Sequence, residues 1–275
     1  MELLLKRDIK DLIEERSILT QFAIEDWFKS IAEELLLGST LIVQDVQYKF
    51  AEVEFYMYCD IHRDLFCRRS PGQLDVAKWH FHRKGNSYRE GNYRGLDIAF
   101  GNNVYGGILV RSLTRHSDGV LFEGPCVVVN EILSKFQVKS VFELTSLSKY
   151  NDDIFQGAMQ IVSRERSSET VHRCGRAGLI SKGKAYLPFV AAPYRYATSL
   201  TRIRKGIQNF VLELYYEGIP ASDISQITGC SCNIYYGWIY AFIRGFQSRE
   251  PPVLSQRPSV EELAQAYGYY KKVYG

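Results

Sequence analysis

From Thr40 the chain runs into LIVQDVQYKFAEVEFYMY, where Val, Ile, Tyr and Phe recur in near alternation with polar residues as far as Tyr58. That composition and that period of two suit a pleated surface and oppose a helix. The run predicts strands with a turn near Gln47 and Tyr48, and a fold built around a sheet. Gly91, Gly95, Gly101, Gly106 and Gly107 then punctuate short strands, of which YRGLDIAFG and GGILVRSL are the clearest. Glu123-Gly124-Pro125 closes this part, and VVVNEILSKF reads as helix. Residues 150–205 mix a helix, a turn-rich stretch and the strand-like PFVAAPYRYA.

Helices flank these strands. Leu3, Leu4, Ile9, Leu12 and Ile13 recur at helical spacing, and Phe22, Ile24, Trp27, Phe28, Ile31, Leu35 and Leu36 do so again before Gly38 supplies a stop. Residues 206–247 carry three short amphipathic segments, IQNFVLELYYEG, ASDISQITG and NIYYGWIYAFIRGF, separated by Gly218-Ile219-Pro220 and by Gly229 with Cys230-Ser231-Cys232. Their spacing is that of a helix-turn-helix, and equally that of a small helical bundle. The third segment is poor in cations, with Arg244 near its end, which weakens direct base reading. Ser259 and Glu262 form a capping box for a last helix to about Lys271. The expected fold is α+β: one domain with a curved, mainly antiparallel sheet over 23–205, an N-terminal helical arm at 1–22, and a helix-turn-helix-like extension at 206–275.

At 275 residues the chain is long enough to bury a core without staples, and 46% hydrophobic with 24% charged residues excludes wholesale disorder. Apolar runs such as Leu35–Leu37 and Val127–Val129 are far shorter than the roughly 20 residues of a membrane span. The N-terminus carries charge within its first residues and lacks a small-residue cleavage site, so a cytoplasmic or nucleoid-associated protein is expected. Six cysteines without a signal are expected as thiols, and Cys230-Ser231-Cys232 has no second pair at ligand spacing. Net charge is only +3. Its placement says more: Arg63, Arg68, Arg69, Lys78, Arg83, Lys84, Arg89 and Arg94 face only Asp64, Asp75 and Glu90 within 63–94, with aromatics between them. Such a segment grips phosphates and stacks on bases, or forms a solvated loop paired with acids elsewhere.

Glu52, Glu54 and Tyr56 fall on one face of a strand, since alternate residues point the same way. A glutamate beside a tyrosine in a pocket suits activation of water. The same spacing suits an edge strand whose polar face meets solvent. His80 and His82, with His62 or Asp60, offer the further option of a divalent metal site for phosphodiester hydrolysis, which a chelator would reveal.

At EVEFY the residues resemble a family, the alkyladenine (3-methyladenine) DNA glycosylases. There a helix ending in Leu-Leu-Gly leads into strands and an E-x-E-x-Y pattern, here Leu36-Leu37-Gly38 and Glu52 to Tyr56. Gly85 with Tyr88 to Tyr93 is similar to the family's tyrosine-rich strand, and ILVRSL to its V-L-I-R-A-L segment. Glu123-Gly124-Pro125 with VVVNEIL resembles its Gly-Pro and helix, and GRAGLISKGKAYLPFVAAPYRY its closing strand. The shared order spans about residues 25–200. The helix-turn-helix lies outside it, and His80-Phe81-His82 has no counterpart.

The resemblance implies base flipping and monofunctional hydrolysis of an N-glycosidic bond in double-stranded DNA, leaving an abasic site, with no metal or cofactor. It assigns Glu54 as general base, Tyr56 to stacking on the extruded base, and Arg111 to the neighbourhood of water and phosphate. His62 is expected to line the pocket, and Tyr88 or Tyr93 to supply the second stacking or wedging ring. Asp97 stands where the family has Asn; an ionised Asp only accepts hydrogen bonds, which favours a base presenting an exocyclic amine, as cytosine does. With His80, His82 and Arg83 available to a polar substituent, the expected substrate is a bulky modified cytosine of phage DNA, such as glucosylated hydroxymethylcytosine, excised in antiviral defence. Asp97 paired with an arginine is the plainer alternative. Arg68, Arg69, Arg83, Lys84, Arg89 and Arg94 are expected on the DNA backbone. An alkylpurine repair glycosylase, a metal-dependent nuclease and a non-catalytic DNA-binding regulator are the competing functions.

Overall fold

A computed structural model describes residues 21–179, 186–255 and 258–275. The expected first helix, and with it most of the arm at 1–22, lies outside the described residues. The chain divides into two compact units, 1–171 and 172–275. The architecture is α+β, with antiparallel pairing throughout the first unit.

In the first unit, helix α1 (Gln21–Gly38) leads into β1 (Ser39–Val43) and the long β2 (Val46–Tyr58). The hairpin turn is at Gln44 and Asp45, not near Tyr48, because Gln44 takes a left-handed φ of 55°. No Gly or Asn marks that position, so the sequence carries no turn signal there. Strands β3 (Val76–Phe81), β6 (Leu96–Phe100) and β7 (Tyr105–Arg115) follow, with a short hairpin of β4 (Arg83–Lys84) and β5 (Ser87–Tyr88) between β3 and β6. With β9 (Met159–Ser163) the sheet runs β9-β1-β2-β7-β6-β3, and β8 (Leu121–Glu123) pairs with the far end of β7.

The core forms where α1 crosses the sheet. Phe28 is fully buried and stacks on Phe55 of β2 with centroids 4.6 Å apart, while Trp27 meets Phe100 edge-on at 5.1 Å. Burying such aromatic rings contributes about 1.5–3 kcal/mol each. Ile98, Ile108 and Phe55 are cross-strand partners, so they share that face. Helix α2 (Pro125–Phe136) packs on β7, starting from Gly124 with Pro125 at its first turn, where a missing N–H costs nothing. Its Glu131 accepts from the Tyr48 hydroxyl at 2.6 Å. The short α3 (Val141–Thr145) is capped by Ser140.

In the second unit, β10 (His172–Cys174) pairs with β11 (Arg195–Ala197). The strand expected over PFVAAPYRYA is correct only for Arg195–Ala197; its start forms a helical turn, α4 (Leu187–Val190), where Pro188 fixes a helical φ. Helices α5 (Ile207–Tyr216), α6 (Ala221–Thr228) and α7 (Cys232–Gln247) follow, with α6 ended by Gly229 at φ 69°. The last helix, α8 (Val260–Tyr274), starts from the expected Ser259–Glu262 capping box. Gly245 and Gly268 allow α7 and α8 to touch backbone to backbone; a Cβ on Gly245 would sit 1.8 Å from the Gln265 carbonyl.

Candidate active site

Direct cross-strand partners place Glu54 of β2 opposite Leu109 of β7, Leu109 opposite Asp97 of β6, and Asp97 opposite His80 of β3. Paired residues of an antiparallel sheet point to the same side, so Glu54, Asp97 and His80 line one row across one face. Glu52 and Glu54 are both fully buried, which rules out the solvent-facing polar strand that their spacing also permits.

An irregularity of the β2–β7 ladder builds the first cluster. The register shifts between Phe50 and Glu52 and again between Glu52 and Val53, so that Arg111 falls between Ser112, which faces Glu52, and Val110, which faces Val53. An extra residue of this kind leaves the ladder and redirects its side chain. Arg111 Nε donates to Glu52 Oε1 at 2.8 Å, and its Nη1 stands 3.3 Å from Glu54 Oε1. The Ser112 hydroxyl donates to the other Glu52 oxygen at 2.7 Å, and the Tyr56 hydroxyl to Glu54 Oε2 at 2.8 Å. Burial opposes the Arg111 charge, but Glu54 and Glu52 outweigh it and raise the guanidinium pKa above its ordinary value. The cluster therefore holds a permanent cation between two carboxylates in a dry setting.

The second cluster surrounds Asp97. His82 Nε2 contacts Asp97 Oδ1 at 2.7 Å, and Gln73 Nε2 donates to Oδ2 at 3.2 Å. Burial alone would raise the Asp97 pKa; the charge and hydrogen bond of His82, with His80 and Arg68, reverse that and lower it. His80 Nε2 meets the Ser70 hydroxyl at 2.7 Å, and desolvation, aided by His82, lowers its pKa although Asp97 opposes this. Three glycines make room. Cβ atoms on Gly72 and Gly95 would each lie 2.3 Å from an imidazole Nδ1, of His80 and His82 respectively, and one on Gly107 would lie 2.8 Å from Asp97 Oδ2. The alternative in which Asp97 serves an arginine is not what forms: its hydrogen-bond partners are His82 and Gln73.

Of the other predicted residues, His62 lies buried with its ring edge-on to Phe28 at 6.2 Å, on the α1 side of the core. Tyr88 is covered by Arg83, whose guanidinium sits 4.1 Å above its ring, while Tyr93 stands 72% exposed. Arg68, Arg69, Arg83 and Lys84 are exposed; Arg69 lies over Tyr58 at 4.8 Å, and desolvation together with Arg89 lowers the Arg68 pKa. Arg89 is half-buried and donates to the Arg83 carbonyl at 3.2 Å. Arg94 is tied down, donating to Asn130 at 2.7 Å and to the Lys139 carbonyl at 3.1 Å as well as to Glu90. Lys78 donates to Asp152 at 2.8 Å, which raises its pKa and keeps the amine protonated. Among the described residues no group of three or more His, Cys, Asp or Glu side chains converges as metal ligands, so His80 and His82 do not join His62 or Asp60 in such a set. Ser70 and Gln73 escape sequence reasoning altogether, since nothing in SPGQL announces a partner on another strand. Arg111 is legible through the ILVRSL resemblance, whereas its bulge leaves no mark in the sequence.

Over 199 residues the chain is 30% identical to the uncharacterized protein L759 of Acanthamoeba polyphaga mimivirus, an alignment spanning 66% of this chain and 90% of that protein. The chain belongs to the family of L759. No protein-family model matches it. Among the described residues no helix is long and apolar enough to cross a membrane.

Proposed function

We propose that the protein is a DNA glycosylase that flips a modified base out of double-stranded DNA and hydrolyses its N-glycosidic bond. The observation that carries this reading is the buried Glu54 carboxylate, fixed between the Arg111 guanidinium at 3.3 Å and the Tyr56 hydroxyl at 2.8 Å. A base inside a duplex is reached only by extrusion, at a few kcal/mol of unstacking. Glu54 then accepts a proton from water as the water oxygen bonds to the sugar C1′. The C1′–N bond breaks, and its electron pair leaves with the base. Arg111 places a positive charge 3.3 Å from the Glu54 carboxylate. Tyr56 presents a ring for stacking on the extruded base.

The same reading takes residues 23–205 as an alkyladenine-glycosylase-like fold and the helices of 206–247 as a helix-turn-helix. Support comes from the order of elements: Leu36-Leu37-Gly38 ends α1, EVEFY lies on β2, ILVRSL on β7, and Gly124-Pro125 opens α2. A protonated Lys78 supports hydrolysis without a Schiff base, hence a monofunctional enzyme. The acidic Asp97 with His80 and His82 beside it supports a base bearing a polar substituent, a glucosylated hydroxymethylcytosine of phage DNA, and so a role in antiviral defence in the cytoplasm. An alkylpurine substrate is the alternative within the same chemistry.

Purified protein incubated with genomic DNAs that carry different modifications is expected to release a free modified base, read by mass spectrometry, and to leave abasic sites. DNA that is bound yet yields no free base from any source would overturn the reading.

A further inference from the structure

We infer that the C-terminal unit carries a duplex-DNA interface of its own, formed by the basic turn at 202–205 and the outer face of α7. This rests on the reading of 206–247 as a helix-turn-helix and is independent of the proposed chemistry. The first observation is charge. Residues 172–275 hold thirteen Lys and Arg against six Asp and Glu, a net of +7, whereas residues 1–171 hold twenty-one against twenty-five, a net of −4. The mild +3 of the whole chain hides a strongly basic unit, and a basic unit attracts a polyanion.

The cations are also placed. Arg202, Arg204 and Lys205 are exposed on one turn. Arg195, fully buried with its guanidinium 4.8 Å from the Phe210 ring centroid, donates to the Lys205 carbonyl at 2.7 Å and to the Gly206 carbonyl at 2.8 Å. Arg204 donates to the Thr201 carbonyl at 3.1 Å. A buried cation clamping the backbone of a basic turn fixes its shape before any ligand arrives, which lowers the entropy cost of binding. That turn adjoins the connection between α6 and α7: a Cβ on Gly229 would lie 3.5 Å from Thr201 Cα.

Helix α7 starts three residues past Gly229 and splits cleanly into two faces. Tyr235, Ile239 and Phe242 are buried, with the Tyr235 hydroxyl donating to the Ala221 carbonyl of α6 at 2.5 Å. Asn233, Tyr236, Tyr240 and Arg244 are exposed at spacings of three, four and four, one stripe of a helix. Tyr236 and Tyr240 stand 55% and 65% exposed, and the Arg244 guanidinium lies 5.3 Å from the Tyr240 ring centroid. No Asp or Glu occurs in the sixteen residues of α7. Glu261 of α8, 3.8 Å from where a Gly237 Cβ would be, sets the acidic margin of the face. Asn, Tyr and Arg on a helix flanked by a basic turn suit a groove with phosphates beside it; with Arg244 the one cation of α7, the phosphate contacts fall mainly to the turn. The lack of acids and the +7 charge favour a nucleic acid over a protein partner, and an exposed helix face beside a fixed basic turn favours a duplex over a single strand.

The full chain should be titrated with a short unmodified duplex across a range of salt concentrations, by fluorescence anisotropy. Replacing Arg202, Arg204 and Lys205 by Ala is expected to reduce the slope of log K against log salt by about 3, one per phosphate contact. Tyr236→Ala with Tyr240→Ala is expected to weaken binding about tenfold at fixed salt while leaving the slope unchanged. All five residues are exposed, and far-UV spectra check that each variant is folded. Unaltered affinity and slope in both variants would overturn the proposal. So would a loss confined to single-stranded RNA, or a change in sedimentation with duplex binding intact, which would make the face a protein-docking surface. No base release is measured, so the outcome is independent of the role of Glu54.

Discussion

Arg111 Nε donates to Glu52 at 2.8 Å, while Arg111 comes no nearer than 3.3 Å to Glu54. Glu52 also accepts from Ser112 at 2.7 Å, so both its oxygens are engaged by neighbouring side chains within the sheet. Glu52 thus holds the closer contact with the guanidinium, and the proposed chemistry takes Glu54, flanked by Arg111 and the Tyr56 hydroxyl, as the base. Glu54→Gln is expected to lower base release about 10²-fold or more while DNA binding is retained, because the amide keeps the shape but accepts no proton. Glu52→Gln is expected to cost more in thermal stability than in turnover. Equal losses of turnover at both positions would show that the roles are wrongly divided.

Much of this arrangement is legible in the sequence. Alternation in AEVEFYMY sets Glu52, Glu54 and Tyr56 on one face, and the period of α1 predicts the burial of Phe28 and Leu36, because both rest on local periodicity. Contacts that depend on register are not legible. Nothing before the fold tells that Asp97 will lie opposite His80, or that Gln73, on a turn of 3-10 helix at Pro71–Leu74, will reach across to it. Gly95 and Gly107 read as punctuation between strands, yet each, like Gly72, is small because an imidazole or carboxylate occupies the space of its side chain. His62 follows the same lesson in reverse: a pocket residue by resemblance lies against Phe28 on the α1 side of the core.

Arg111→Met should be strongly destabilising, since it leaves Glu52 and Glu54 buried without their shared cation. Breaking one partner of a buried ionic cluster costs about 3–5 kcal/mol. Arg111→Lys is expected to rescue only in part, as an ammonium cannot span both carboxylates in the manner of a planar guanidinium. Urea denaturation at neutral pH measures this; a wild-type midpoint for Arg111→Met would refute the cluster's structural role.

His80 gives the protein an acid-sensitive component. Its folded pKa lies below the ordinary value, through desolvation first and His82 next. In the unfolded chain the imidazole takes up a proton as the pH falls through about 6.5, whereas the folded protein resists it. Stability is therefore complete above that value and declines below it. His80→Gln retains a partner for Ser70 but does not titrate, so its melting temperature should fall less than that of the wild type between about pH 7.5 and 5.5. Equal declines would place the acid sensitivity elsewhere.

Asp97 decides the base if the proposed chemistry is right. Its low pKa keeps it ionised, and its contacts with His82 at 2.7 Å and Gln73 at 3.2 Å leave one further lone pair on each oxygen for an exocyclic amine. Asp97→Asn keeps the volume but exchanges one acceptor for a donor, so His82, Gln73 or the exocyclic amine meets a donor in place of an acceptor. Preference for modified cytosine over 3-methyladenine should then narrow by about 1–3 kcal/mol, the worth of one base-edge contact. Release of both bases from matched duplexes by wild type and variant measures the change. A wild type that favours the alkylpurine, or a variant that loses both activities in the same proportion, would reduce Asp97 to a fastener between β3 and β6, and substrate choice would then have to lie with other groups such as Tyr56 and Arg68.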